Sequence, residues 1–279
     1  MRDFTLRAYE LLIEALKAKG YGFYHFREFV TLRIPQSAVL RHDVDRYPAR
    51  AQKMAELEFK MSVRASYHFR VPEYPSASYE SAIKSIADLG HEIAYHYEDL
   101  GKAARIVGRS FTRVAMRKDP DTLIKIAEES FIKNIAYLRR FYPVNVISMH
   151  GDPLSAYDNR DLWKHVNYKD YGVICEPYLD IDYSDVRYFT DTGRRWDAQR
   201  SNRRDRITRT PAPGTNSAQS SLASTFDLIS RIRSGIINGN IVINTHPQRW
   251  SEEIGPWISE LVVQNIKNII KPVLRQKFR

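Results

Sequence analysis

What most constrains this chain is an alternation. Short runs rich in β-branched and aromatic residues recur at 38–43, 63–69, 92–97, 144–149, 172–175, 186–189 and 241–245. Between several of them lie longer stretches with apolar residues at helical spacing, at 48–59, 76–89, 120–141 and 221–234. Strands that alternate with helical stretches predict a parallel sheet with helical crossovers. Seven such strands suit a closed or nearly closed barrel better than an open sheet. The expected fold class is therefore α/β, a distorted (β/α)7 TIM-like barrel.

Before the first strand, residues 4–19 carry Leu6, Tyr9, Leu12, Ile13 and Leu16 at helical spacing and end at Gly20. This predicts an N-terminal helix that covers one end of the barrel. A chain of 279 residues is the size of one large α/β domain. The expected organisation is a single domain over 1–279, with an N-terminal helical extension at 1–35, the barrel at 36–250 and a C-terminal amphipathic helix at 251–279. Cys175 is the only cysteine, so an intramolecular disulfide framework is excluded, as is a Cys-rich zinc module. The charged, amphipathic start has no apolar core like that of a secretory leader, and the expectation is a cytoplasmic protein.

The net charge of +10 is concentrated in two places. Residues 194–209 hold seven Arg against Asp197 and Asp205, and residues 261–279 hold five basic residues and no acid. The rest of the chain balances, which argues against a general nucleic-acid surface. An Arg-rich loop suits phosphate recognition, so Arg194 and Arg195 are candidates to hold the phosphates of a nucleotide-sugar or lipid-linked substrate. In the C-terminal segment Ile254, Trp257, Ile258, Leu261, Val262, Ile266, Ile269, Ile270 and Val273 recur at helical spacing. Such a helix packs on its own domain or rests on an anionic membrane, here the inner face.

The chemistry-bearing residues fall at the C-terminal ends of the predicted strands, where barrels put their sites. In Leu40-Arg41-His42-Asp43-Val44-Asp45, strand alternation puts Arg41, Asp43 and Asp45 on one face. Two carboxylates at that spacing can divide labour, one holding a divalent cation and the other acting as a base. In 90–100, Glu92, His96 and Glu98 share a face, a donor set suited to a metal. Met149-His150-Gly151-Asp152-Pro153 ends a third strand with a His on a tight turn, and Ile243-Asn244-Thr245-His246 ends a fourth. His246 is a candidate general acid, since an imidazole holds a proton near neutral pH. His68 and Arg70 share a face at the end of the second strand and are candidates for the mouth of the same site. Asp191 is a candidate to orient His246, and the stretch 188–196 to contact substrate.

Asp43-Val44-Asp45, then Gly90-His91-Glu92-Ile93 with His96, then a C-terminal apolar strand ending in His246, resemble the polysaccharide deacetylase family. This NodB-homology group is also called carbohydrate esterase family 4. The resemblance covers roughly residues 39–250 and implies a NodB-homology type of barrel that hydrolyses N- or O-acetyl groups on sugars with a divalent metal, often zinc. It implies Asp43 as catalytic base, Asp45 and His96 as metal ligands and His246 as catalytic acid. The family's second metal His, four residues after the first, is here Leu100, and its Arg-Pro-Tyr motif is absent. His150 and Glu98 are the candidates to complete the ligand set, His150 preferred, with Asp152 as an additional residue.

The function so implied is a divergent, metal-dependent carbohydrate deacetylase, an amidohydrolase acting on C–N bonds other than peptide bonds. Its expected cofactor is Zn²⁺. Its expected substrate is an amino-sugar, nucleotide-sugar or lipid-linked glycan intermediate of surface polysaccharide (O-antigen) biosynthesis. Two alternatives stand beside it: a catalytically inactive barrel that binds a sugar or nucleotide-sugar, for which Leu100 speaks, and hydrolysis of another C–N bond, such as an N-formyl group or a small cyclic amide.

Overall fold

The computed structural model describes residues 1–107, 120–151, 157–196 and 222–277. Its centre is a parallel sheet of seven strands: β1 (Gly22–Phe23), β2 (Ser37–Val44), β3 (Ser66–Phe69), β4 (Glu92–Tyr97), β5 (Ile147–Met149), β6 (Val186–Thr190) and β7 (Asn240–Thr245). They run in the order β5-β4-β3-β2-β7-β6, with the short β1 beside the start of β2. Around them lie α1 (Leu6–Ala18), α2 (Phe26–Leu32), α3 (Pro48–Lys60), α4 (Ala77–Asp88), α5 (Asp99–Ile106), α6 (Pro120–Arg139), α7 (Pro177–Asp180), α8 (Thr225–Arg233) and α9 (Ile254–Lys277).

The sheet curls but does not close by backbone pairing among the described residues. The expected strand at 172–175 is reduced to one bridge, Val146 to Cys175, beyond the β5 edge. Gly172 has a left-handed φ of 72° and ends a 3-10 turn at Tyr168–Tyr171, so an extended run cannot start there. Across the gap to β6, side chains take over. Tyr178 and Tyr183 pack their rings on Tyr188, at 6.3 and 5.8 Å between centroids.

Strands β2, β3, β4 and β5 are buried on both faces, and β6 and β7 nearly so, the burial expected of a parallel sheet clothed by helices. The outward residues Leu40, Val44, Ile93, Tyr95, Ile147, Phe189 and Ile243 join the helices in one large core. Inward residues Val39, Ala94, Val146, Val186, Tyr188 and Val242 form a second, smaller core with Phe26 and Phe29 of α2. The plug in the open end is thus α2, whose N-terminal amides Phe26 N and Arg27 N donate to the buried Glu92 carboxylate. The N-terminal helix is present, but it lies in the outer layer rather than over the barrel end. Tyr9 of α1 donates to Glu58 of α3 and meets His42 and Trp250 edge-on. Since β1 pairs with β2 and α2 fills the interior, residues 1–35 are built into the fold rather than appended to it. Among the described residues no helix is long and apolar enough to cross a membrane.

Candidate functional site

Parallel strands in register deliver their C-terminal ends to one rim, and the polar residues meet there. β2 contributes Arg41 and Asp43 inward, with Asp45 just beyond it; β4 contributes His96, the residue after β5 is His150, and β7 leads to Asn244 and His246. Register pairs His96 with Ser148, so His150 follows two residues later on the same side of β5. Its backbone amide donates to Tyr97 O at 2.8 Å, which ties the end of β5 to β4.

Asp45, His96 and His150 bring one ligand atom each to within 4.8 Å of one another. Asp45 Oδ1 lies 3.7 Å from His96 Nε2 and 3.6 Å from His150 Nε2. His96 Nδ1 sits 3.0 Å from the Ser148 carbonyl, which can only accept, so Nδ1 carries the hydrogen and the Nε2 lone pair faces the cluster. Burial, only partly offset by Asp43 and Asp45, pulls the His96 pKa down to about 4, which keeps the ring neutral. His150 Nδ1 lies 3.4 Å from Glu98 Oε2, so that its Nε2 too is turned inward. Burial pushes the Asp45 carboxyl up, but His150 and His96 outweigh it and hold it below the usual range. Asp45 Oδ1 is buried with no hydrogen-bond partner, a costly state for a carboxylate oxygen.

Beside this cluster Asp43 is clamped by Arg41, with Nε to Oδ1 at 2.7 Å and Nη2 to Oδ2 at 2.9 Å. Asn244 Nδ2 adds a bond to Oδ2 at 2.9 Å. Burial raises the Asp43 carboxyl, but Arg41, then His96 and His246, outweigh it, and it is held well below the usual carboxylate range. Its Oδ2 is 3.6 Å from His96 Nε2 and 3.9 Å from His246 Nε2. His246 in turn is fixed from behind by Asp191, which accepts from the His246 backbone amide at 2.9 Å and faces Nδ1 at 2.6 Å. Trp250 Nε1 and Arg249 hold the same carboxylate. Burial and Arg249 lower the His246 pKa, but Asp191 and Asp43 outweigh them and leave it raised above its ordinary value.

No family model matches this sequence, and no curated protein matches it. Among solved structures the chain is similar to BA3943, described as a CE4 family pseudoenzyme from Bacillus anthracis. It is also similar to a mutant of that protein described as having restored enzymatic activity. The sequences are 9% and 10% identical, and both TM-scores are 0.35. The matches cover 82% and 84% of this chain but only 60% and 63% of those chains, so this protein spans less than two thirds of their length. The chemistry of the site therefore rests on its own geometry.

The remaining candidates divide. Glu98 stands behind His150 rather than in the cluster, held by Arg70 Nη2 at 2.7 Å and Lys102 Nζ at 3.1 Å; burial raises its pKa, but His150 and Arg70 outweigh this and leave it depressed. Arg70 thus serves Glu98. His68 is buried one layer deeper, in register with Asp43 and edge-on to His96, and both its ring nitrogens lack hydrogen-bond partners. Glu92 shares the His96 face but sits at the bottom of the interior under α2, and burial pushes its pKa to about 7. Leu100 is packed on α5 among Ala103, Ala104 and Leu123.

Arg194 lies just past the end of β6, behind the Asp191–Arg249 pair: its guanidinium packs over the rings of Phe4 and Trp257, at 4.6 and 4.9 Å, and its Nη1 donates to the Arg249 carbonyl at 3.4 Å. Trp196, in the stretch expected to contact substrate, is buried against Phe4 and Trp250. Arg195 is exposed, and most of the Arg-rich loop as well as Asp152 lie outside the described residues.

Sequence reasoning missed Asn244, Gln248 and Tyr178. Gln248 Nε2 donates to Asp45 Oδ2 at 3.1 Å, and the Tyr178 ring lies under the Arg41 guanidinium at 5.1 Å. Strand alternation would have found Asn244, which shares the inward face two residues before His246.

Proposed function

We propose that this protein is a metal-dependent, deacetylase-like hydrolase that removes an N-acyl group, N-acetyl foremost, from an amino sugar. The observation that carries this reading is a donor set of two imidazoles and one carboxylate flanked by an ionised Asp43 and a His246 backed by Asp191. The donors fit a divalent metal: both imidazoles turn Nε2 inward, and Asp45 Oδ1 is a buried acceptor without a partner. Two His and a carboxylate suit zinc. Asp45, His96 and His150 would hold the ion, which supplies Lewis-acid polarisation of the acyl carbonyl and activation of water.

The chain's own groups do the rest. Asp43, ionised across the neutral range, accepts a proton at its carboxylate while Arg41 and Asn244 fix its orientation. His246, whose pKa is raised by Asp191 and Asp43, gives a proton from Nε2 to the departing nitrogen. Asp191 and the 3-10 turn Pro247–Arg249 keep that ring in place. A cleft of about 550 Å³ opens beside the cluster, lined by Asp45, Arg46, Arg70, Tyr74, Tyr79 and Glu98. Its size and mix of aromatic and polar side chains suit a sugar ring. The biosynthetic setting, surface polysaccharide assembly from an amino-sugar, nucleotide-sugar or lipid-linked intermediate, belongs to this reading as its expected context.

The test is metal content of the purified protein beside Asp45→Ala and His150→Ala, followed by amine release from a panel of N-acylated amino sugars. Near-stoichiometric metal, lost in both variants, with turnover abolished in Asp43→Asn and His246→Ala, is the expected result. Metal binding without turnover on any member would favour a sugar-binding protein built on the same barrel. No metal under any loading condition would overturn the reading.

A further inference from the structure

The helix α9 is turned the wrong way for an ordinary surface helix. Amphipathic helices bury their apolar stripe and expose their polar one. Here Gln264 is 3% exposed, Asn268 donates to the Gly193 carbonyl at 3.1 Å, and Trp257 Nε1 donates to Asp3 O at 2.6 Å. The opposite face carries Ile254, Ile258, Val262, Val263 and Ile266, which are 40–63% exposed. Four of these five recur every fourth residue, a continuous apolar stripe open to solvent.

We propose that α9 docks on an anionic lipid surface through this stripe. The charge of the helix selects that occupant. Residues 261–279 carry five basic residues and no acid, half of the chain's net +10. The acids nearest the stripe, Glu252, Glu253 and Glu260, all lie at or before the first part of the helix. A second copy laid parallel would bring the five basic residues of each chain together just beyond the stripe, whereas anionic headgroups attract them. An apolar face with basic residues on the same helix is the combination that lies in a membrane interface. Such docking needs no spanning segment.

The experiment is co-sedimentation of the full chain with vesicles. One set is phosphatidylcholine with about one third phosphatidylserine, the other phosphatidylcholine alone. Binding to the anionic set, weakened about tenfold or more by high salt or by omitting phosphatidylserine, is expected. The double variant Ile258→Glu/Val262→Glu, at exposed positions and checked for an unchanged melting temperature, should weaken it about tenfold or more. Absence of binding, equal binding to neutral vesicles, or full binding by the double variant would overturn the proposal. So would a salt-resistant dimer in light scattering that the double variant abolishes, since the stripe would then be covered by a second copy.

Discussion

Glu98 offers the sharpest test of the proposed metal site. Its carboxylate touches no other member of the cluster, yet it lies 3.4 Å from His150 Nδ1 and is itself pinned by Arg70 and Lys102. Two full charges at that separation interact by about 5 kcal/mol at an effective dielectric of 20. A ligating imidazole carries only part of a positive charge on its outer N–H, so a third to a half of that is the expected contribution. That is about 1.5–2.5 kcal/mol, or roughly 10- to 70-fold in metal Kd, within the range for residues that orient a metal-bound His. Glu98→Gln keeps the shape and an acceptor but removes the charge, and it leaves Arg70, Lys102 and Arg105 facing the site without their anion. Chelator-competition titrations with Zn²⁺ should therefore show the affinity falling by that factor. Glu92→Gln is the control, because the same strand and face carry that carboxylate to the far end of the interior, under α2. Unchanged or tighter binding in Glu98→Gln, or an equal loss in Glu92→Gln, would refute the reasoning.

Because His246 must be protonated to act as an acid and its pKa is raised, the alkaline limb of turnover should lie above the ordinary imidazole value; Asp191→Asn should move that limb down in a kcat–pH profile. Stability should respond to Glu92, whose folded pKa of about 7 lies above its unfolded value near 4.5. The folded state thus favours the protonated form. Its contribution is fully present below about 4.5 and is lost as pH rises through about 7, a slope of roughly 3 kcal/mol in urea unfolding that Glu92→Gln should remove. On the outer face Glu58 accepts from Tyr9 and Tyr67 and faces His42 at 2.7 Å. Glu58→Ala should cost about 3 kcal/mol or more in the same assay by stranding buried donors, while leaving metal affinity unchanged.

The strands were legible where β-branched and aromatic residues cluster, since β2, β4, β6 and β7 form within a residue or two of the runs that announce them. The pattern failed where local propensity and tertiary use part company. Residues 172–175 read as a strand, but Gly172 turns the chain immediately before them. Residues 26–32 carry Phe26, Phe29 and Val30 too briefly to announce a helix, and only the hollow interior of the sheet gives α2 its place. Helix α1 was readable as a helix, yet no residue in it states which layer it joins. That follows from Tyr9 meeting Glu58, a partner far along the chain whose buried charge needs donors.

The same distinction explains how a candidate donor set can seem short of a member in the sequence and find a third residue in the fold. A second imidazole one helical turn after His96 would have to come from position 100, and there the chain has entered α5 and buried Leu100 in an apolar cluster. A sheet offers another route. The neighbour of β4 is β5, the register sets Ser148 beside His96, and a residue two further along β5 points the same way. His150 occupies that position, with its ring centroid 5.2 Å from that of His96, and Glu98, just past the end of β4, lies behind it. Local spacing can specify only the first route. The second depends on which strands are neighbours, so the sequence could nominate His150 by its position at a strand end, but the parallel pairing of β4 with β5 is what brings the two imidazoles to Asp45.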